Sequence, residues 1–222
     1  MRTHFEPRLD VLPAAQRELW PLLAPTPKLS LVLYGGTAVA LQLGHRQSFD
    51  FDFFAAAPLD KAKLRAALDF LASATIIQDE PDTLVALIAM PSGAVRVSLF
   101  GNIKFGHVHE PLQTADRVLL VASLTDLMAT KLKAILDRAE AKDYRDIAAM
   151  LAAGVALAQG LAAFSRMFGQ DAGLPLRALG YFADGDLPAL PEADKALLRR
   201  HRDAVTELPD ITLHPGLSAP PS

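Results

Sequence analysis

LSLVLYGGTAVALQLGHRQSFDFDFF, residues 29–54, decides the fold. Leu29 to Tyr34 is an apolar run of strand length, and Gly35 and Gly36 follow it directly. Thr37 is placed to cap a helix over AVALQLG, Gly44 suits a left-handed helix end, and SFDFDFF has the period-two alternation of a second strand. The order strand, glycine turn, helix, strand opens an α/β domain.

On a strand, residues two apart project from the same face. Asp50 and Asp52 therefore share one surface, while Phe49, Phe51 and Phe53 point toward a core. Two like charges at that spacing repel one another unless a cation or donors compensate. Magnesium suits the place because it takes few carboxylates, keeps several waters and completes its shell with substrate phosphates; manganese is the alternative ion. The plainer explanation is an edge strand with one wet face, on which Asp and Phe simply alternate. The glycine turn also has two explanations. Without a Cβ in the way, its N–H groups and the helix end can meet a phosphate, with Thr37 as cap or phosphate ligand; otherwise it is a tight connection. Arg46 and Ser48, just upstream of the aspartates, either contact a nucleotide or complete the loop.

Outward from this stretch, Pro21, Pro25 and Pro27 break a weak helical pattern over Leu12 to Leu23. Pro58 and Asp60 introduce a helix from Lys61 to Leu71. Thr83 to Met90 and Ala94 to Gly101 read as strands joined at Pro91-Ser92-Gly93, which completes a small mixed sheet. Thr125 to Arg138 and Lys142 to Leu151 are strongly helical, and Gly154 closes the second. The expected organisation is an α/β core over 1–120, a helical part over 121–205 that completes the active-site cleft, and a proline-rich flexible tail over 206–222.

The 222 residues give ample length for a core, and 51% hydrophobic with 21% charged content matches ordinary globular proteins. The absence of cysteine excludes disulfides, thiolate nucleophiles and cysteine-ligated zinc. A net charge of −3 gives no overall attraction to nucleic acid, so any polyanion must meet a local basic patch. No basic leader with an apolar core opens the chain and no 18-residue apolar run occurs, so a cytoplasmic protein without membrane association is expected. His107 and His109 read as a surface loop pair, Trp20 as core, and Tyr181 and Phe182 as packing residues.

GGTAVALQLGHRQSFDFDFF together with KLKAILDRAEAKDYRDIAAML resembles the nucleotidyltransferases of the AbiEii/AbiGii toxin family, a branch of the DNA polymerase β-like superfamily, over most of the chain. The resemblance implies an α+β nucleotidyltransferase core and metal-dependent transfer of a nucleoside monophosphate from an NTP. The acceptor in some members is tRNA, and the role is often that of a toxin opposite a separately encoded antitoxin. Carried onto this chain, it makes Gly35, Gly36 and Thr37 the phosphate-holding signature and Asp50 and Asp52 the catalytic metal ligands. Lys131 would steady the triphosphate, and Asp143 would orient Lys131 or activate the acceptor hydroxyl. Lys131, Arg138 and Lys142 would form a basic stripe toward triphosphate or RNA, or else a solvated helix face with Lys142 and Asp146 as an ordinary pair. The superfamily's third carboxylate falls at Ser98, which projects with Arg96 and Phe100; Asp143, Asp146 or a water is left to fill the place. That serine keeps open a catalytically degenerate nucleotide-binding protein acting through a partner. The acceptor also stays open to a protein or small-molecule hydroxyl.

Overall fold

The computed structural model describes residues 3–217. The chain forms two compact units, one of Met1–Ser123 with Pro215–Ser222 and one of Leu124–His214.

The first unit is built on a mixed sheet. Its strands are β1 (His4–Phe5), β2 (Val32–Tyr34), β3 (Asp50–Phe54), β4 (Thr75–Glu80), β5 (Thr83–Met90), β6 (Gly93–Phe100), β7 (Leu112–Thr114) and β8 (Leu120–Val121). Among the described residues the order is β1-β7-β8-β2-β3-β6-β5-β4. β3 lies between β2, to which it is antiparallel, and β6, to which it is parallel. Helices α1 (Ala14–Leu19), α2 (Gly35–Leu43) and α3 (Lys61–Ala67) complete the unit.

Alternation on β3 does what it predicts. Phe51 and Phe53 are fully buried, with the rings 6.3 Å apart and Trp20 6.4 Å from Phe51, so this face belongs to the core. Burying each such ring contributes roughly 1.5–3 kcal/mol. Trp20 is core on its ring and polar at its tip, where the indole N–H donates to Asp116 Oδ2 at 2.7 Å. Phe49 departs from expectation: the strand starts only at Asp50, and Phe49 is 63% exposed.

Local signals set several boundaries. Asp60 caps α3 by accepting the Lys63 N–H at 2.9 Å. Pro91-Ser92 turns β5 into β6, held by the Glu18 carboxylate, which accepts from the Ser92 N–H at 3.1 Å and the Ser92 hydroxyl at 2.5 Å. Gly44, at φ 69, ends α2 in the left-handed conformation. The helix expected to reach Leu71 breaks at Leu68, which is non-helical, and Asp69–Ser73 follows as a 3-10 turn. The run from Leu29 gives strand only from Val32, because Thr26–Leu29 is a 3-10 turn closed by Ser30 at φ 55.

The second unit is helical: α4 (Leu124–Asp137), α5 (Ala141–Ala152), α6 (Leu157–Phe168), α7 (Gly173–Ala178) and α8 (Glu192–Asp203). α4 packs against α5, α6 and α7, and α5 against α8. Gly160 of α6 permits a close approach to α4, since a Cβ there would collide with the Met128 side chain. The proline-rich segment is not wholly loose. Within the first unit Leu217 is buried and the Gly216 carbonyl lies 3.1 Å from His107 Nδ1, while residues 218–222 of the expected tail lie outside the described residues. His107 is correspondingly buried, with Nε2 3.1 Å from Glu110, and is no surface residue. Tyr181, expected to pack, is 55% exposed, whereas Phe182 meets the Tyr144 ring edge-on at 6.0 Å.

Candidate active site

β2 ends at Tyr34, which is the N-cap of α2, so Gly35 and Gly36 are the first two helical residues. The opening N–H groups of a helix have no intrahelical partner, and Tyr34 supplies no side-chain cap. Gly35 has φ 75, open to glycine at little cost, and a Cβ there would lie 2.8 Å from Asp52 Oδ2. The Asp52 carboxylate thus rests against the glycine turn. Gly36 is needed for a different reason: a Cβ there would collide with the Arg46 guanidinium and come within 3.1 Å of Ser48 Oγ.

Thr37 is not the cap. It is the third residue of α2 and is buried; its hydroxyl hydrogen-bonds Ser48 Oγ at 2.9 Å and the Asp50 carbonyl. The bonds tie the start of α2 to the start of β3, which fixes the aspartates relative to the glycine turn. Arg46 donates to the Gln47 carbonyl at 2.8 Å while covering Gly36.

Register places the rest. Asp52 is the Cα partner of Tyr34 on β2 and of Ser98 on β6, and Asp50 is the partner of Arg96. Asp50 is exposed and Asp52 half-buried, while Ser98 is buried. One step further along the same face, Phe54 stacks on Tyr34 at 4.8 Å and meets Phe100 and Phe105 edge-on at 5.4 and 6.1 Å. This aromatic cluster floors the aspartate site.

In the second unit, Lys131 of α4 is 5% exposed, and its ammonium lies 2.6 Å from Asp143 Oδ1 and 2.6 Å from Asp146 Oδ2 of α5. Both aspartates are fully buried. Arg138 donates through Nε to Asp143 Oδ2 at 2.8 Å and through Nη2 to Oδ1 at 3.3 Å. Burial by itself would push the Asp143 carboxyl up. The Arg138 hydrogen bond and the Lys131 charge outweigh it and hold the carboxyl below its ordinary value. Burial, with the Asp143 and Asp184 charges, pushes the neighbouring Tyr144 up to about 12.

The expected basic stripe of Lys131, Arg138 and Lys142 does not lie along one helix. Lys131 belongs to α4, Arg138 lies just beyond its end and Lys142 belongs to α5, so helical spacing does not align them. Asp146 pairs with Lys131, and Lys142 pairs with Glu140 at 2.6 Å. The signal for this network was the i,i+3 spacing of Asp143 and Asp146, which puts both carboxylates on one helix face opposite a lysine.

The profile of a family described as "Nucleotidyl transferase AbiEii toxin, Type IV TA system" matches residues 19–213. The chain belongs to the AbiEii nucleotidyl transferase toxin family. An uncharacterized protein of Aquifex aeolicus (strain VF5) is 30% identical over 117 residues, 52% of this chain and 54% of that protein. The chain thus spans about half the length of this curated relative.

The AbiEii match covers the glycine turn, the aspartates and the Lys131 network alike. Two carboxylates on one strand face beside a helix N-terminus have the oxygen chemistry that would suit a magnesium or manganese ion sharing its shell with water and phosphate. Among the described residues no group of three or more His, Asp or Glu side chains is arranged to hold an ion. No helix among the described residues is long and apolar enough to cross a membrane.

Proposed function

We propose that this chain transfers a nucleoside monophosphate from an NTP to an acceptor hydroxyl with the help of a divalent metal ion. The observation that carries the reading is the Asp52 carboxylate seated against Gly35, at the open end of α2 and on one face with Asp50. A negative triphosphate fits the helix end, and two carboxylates beside it fit the cation that accompanies a triphosphate.

Asp50 and Asp52 would hold magnesium or manganese, which supplies neutralisation of charge on the reacting phosphate and the departing pyrophosphate. Gly35 and Gly36 bind the phosphates through their N–H groups. Since the Thr37 hydroxyl faces Ser48 and the Asp50 carbonyl, Thr37 contributes through its own N–H. Arg46, held over Gly36, adds positive charge on the same flank, and Ser48 positions Thr37. In the transfer the acceptor oxygen bonds to the α-phosphorus, the bond from that phosphorus to the bridging oxygen breaks, and pyrophosphate leaves in line. The acceptor proton passes to solvent, as Ser98 carries no base.

Lys131 and Asp143 act as a positioning pair. An ammonium shared by two buried carboxylates holds α4 to α5 and has no lone charge to offer a phosphate. Arg138 completes Asp143, and the exposed Lys142 adds positive surface beside Glu140. The family description places a toxin with an antitoxin; we extend that to a separately encoded antitoxin for this chain, with RNA as acceptor.

Ser98 beside Asp52 favours a second reading, a nucleotide-binding protein without efficient chemistry. Incubation with magnesium, each α-labelled NTP and total RNA decides between them. Label in RNA that disappears in the Asp50→Ala, Asp52→Ala double variant establishes the transferase. Tight aspartate-dependent NTP binding without transfer establishes the binding protein. Label in protein moves the acceptor to a protein hydroxyl, and absence of both binding and transfer removes both readings.

A further inference from the structure

The sheet face that carries the aspartates is open at one row. Asp50 of β3 is in register with Arg96 of β6, Arg96 with Leu87 of β5, and Leu87 with Thr75 of β4. Partners in register project to the same face of the sheet, on strands about 4.8 Å apart. All four residues are exposed, whereas Ser98 and Val85 in the next row are buried. The open row therefore runs outward from Asp50 as a carboxylate, a guanidinium, an apolar patch and a hydroxyl.

Arg96 is the member that needs explaining. Among the described residues neither it nor Asp50 enters an ion pair. A cation beside two carboxylates that bind a metal weakens that binding unless an anion joins them. The guanidinium fork matches phosphate oxygens in two parallel hydrogen bonds. The glycine turn and Arg46 stand on the β2 side of the aspartates, and Arg96 stands on the β6 side. In-line displacement puts the attacking hydroxyl opposite the leaving pyrophosphate. If pyrophosphate departs along the glycine turn, the acceptor enters from the β6 side.

Building on the transferase reading above, we propose that Arg96 binds a backbone phosphate of an RNA acceptor, next to the reacting hydroxyl, with Leu87 beneath the adjoining nucleotide.

The test titrates a fluorescein-labelled single-stranded RNA oligonucleotide into the full chain with magnesium and a non-hydrolysable NTP analogue, over a salt series. Arg96→Gln is expected to weaken RNA binding by about tenfold and lower the slope of log Kd against log salt by roughly 0.7, the share of one phosphate on a single strand. Arg96→Lys is expected to restore the slope, since it keeps the charge. Analogue affinity and Tm should stay unchanged in both. Equal RNA binding by wild type and Arg96→Gln, no RNA binding by the wild type, or a loss that falls on the analogue overturns the inference. Failure of the analogue to bind the wild-type chain removes the transferase reading and this inference together. Normal analogue binding with unchanged RNA affinity removes this inference alone.

Discussion

Asp50 and Asp52 on β3 and Asp143 and Asp146 on α5 are the same side chain in opposite settings. Asp50 is exposed and Asp52 half-buried, and the pair lies beside a serine and a glycine turn. The helix pair is fully buried, and one lysine satisfies both members while an arginine completes one. Paired carboxylates therefore do not by themselves mark a reactive site. What separates the two is burial: the helix pair is sealed around the lysine that bridges it and holds α4 to α5, whereas the strand pair reaches solvent, where we propose that it recruits a metal and phosphate.

The comparison can be broken from either side. The largest effect is expected from Asp52→Asn, which should lower transfer by about a thousandfold or more, on the order of 4 kcal/mol in the barrier. Its Tm should move by less than about 2 °C, read by calorimetry. Lys131→Met should do the reverse. Taking the shared ammonium away from two buried carboxylates, of which Asp143 keeps Arg138, costs about 3–5 kcal/mol of stability, measured by urea unfolding, and any loss of transfer should follow the unfolded fraction. Transfer lost at full stability in Lys131→Met would make the lysine a substrate contact.

A smaller effect is expected from the joint between the two halves of the aspartate site. Thr37→Val removes a hydroxyl that serves both Ser48 and the Asp50 carbonyl, and should cost about 1–3 kcal/mol together with a fall in kcat. Acid sharpens the comparison further. The folded pKa of Asp143 lies below its ordinary value of 3.8, so its stabilisation is present above that value and is lost as pH falls through the depressed folded value. Asp143→Asn should flatten the acid limb of a Tm-against-pH curve. Smallest of all, Tyr144→Phe should cost about 0.5–1.5 kcal/mol, the worth of its hydroxyl bond to the Ala178 carbonyl, and should abolish a titration near 12 in the tyrosine absorbance.

Much of the aspartate site was legible because its determinants are local. An apolar run, two glycines and a period-two alternation lie within residues 29–54, and each carries its own backbone preference. Other features depend on distant partners. β4 was missed because all six of its residues are exposed and its acids fit a loop as well as a strand; pairing with β5 makes it a strand. β1, β7 and β8 are two or three residues long, too short for any periodicity, and exist through pairing with one another and with β2. Thr37 looked like a cap because its hydroxyl partners, Ser48 and the Asp50 carbonyl, lie beyond the helix. The buried state of Lys131 was hidden for a similar reason: a lysine in a helical pattern reads as solvated until the carboxylates of another helix are seen to enclose it.

The central claim is that chemistry belongs to the strand pair and scaffolding to the helix pair. One measurement tests it most directly: magnesium-dependent transfer of label from α-labelled NTP, run side by side on wild type, the Asp50→Asn, Asp52→Asn double variant and Asp146→Asn, each with its folded fraction determined. The account predicts that the strand variant is folded and inactive, and that the helix variant is less stable yet active in proportion to its folded fraction. A folded strand variant with full transfer, or a folded Asp146→Asn without any, would contradict it.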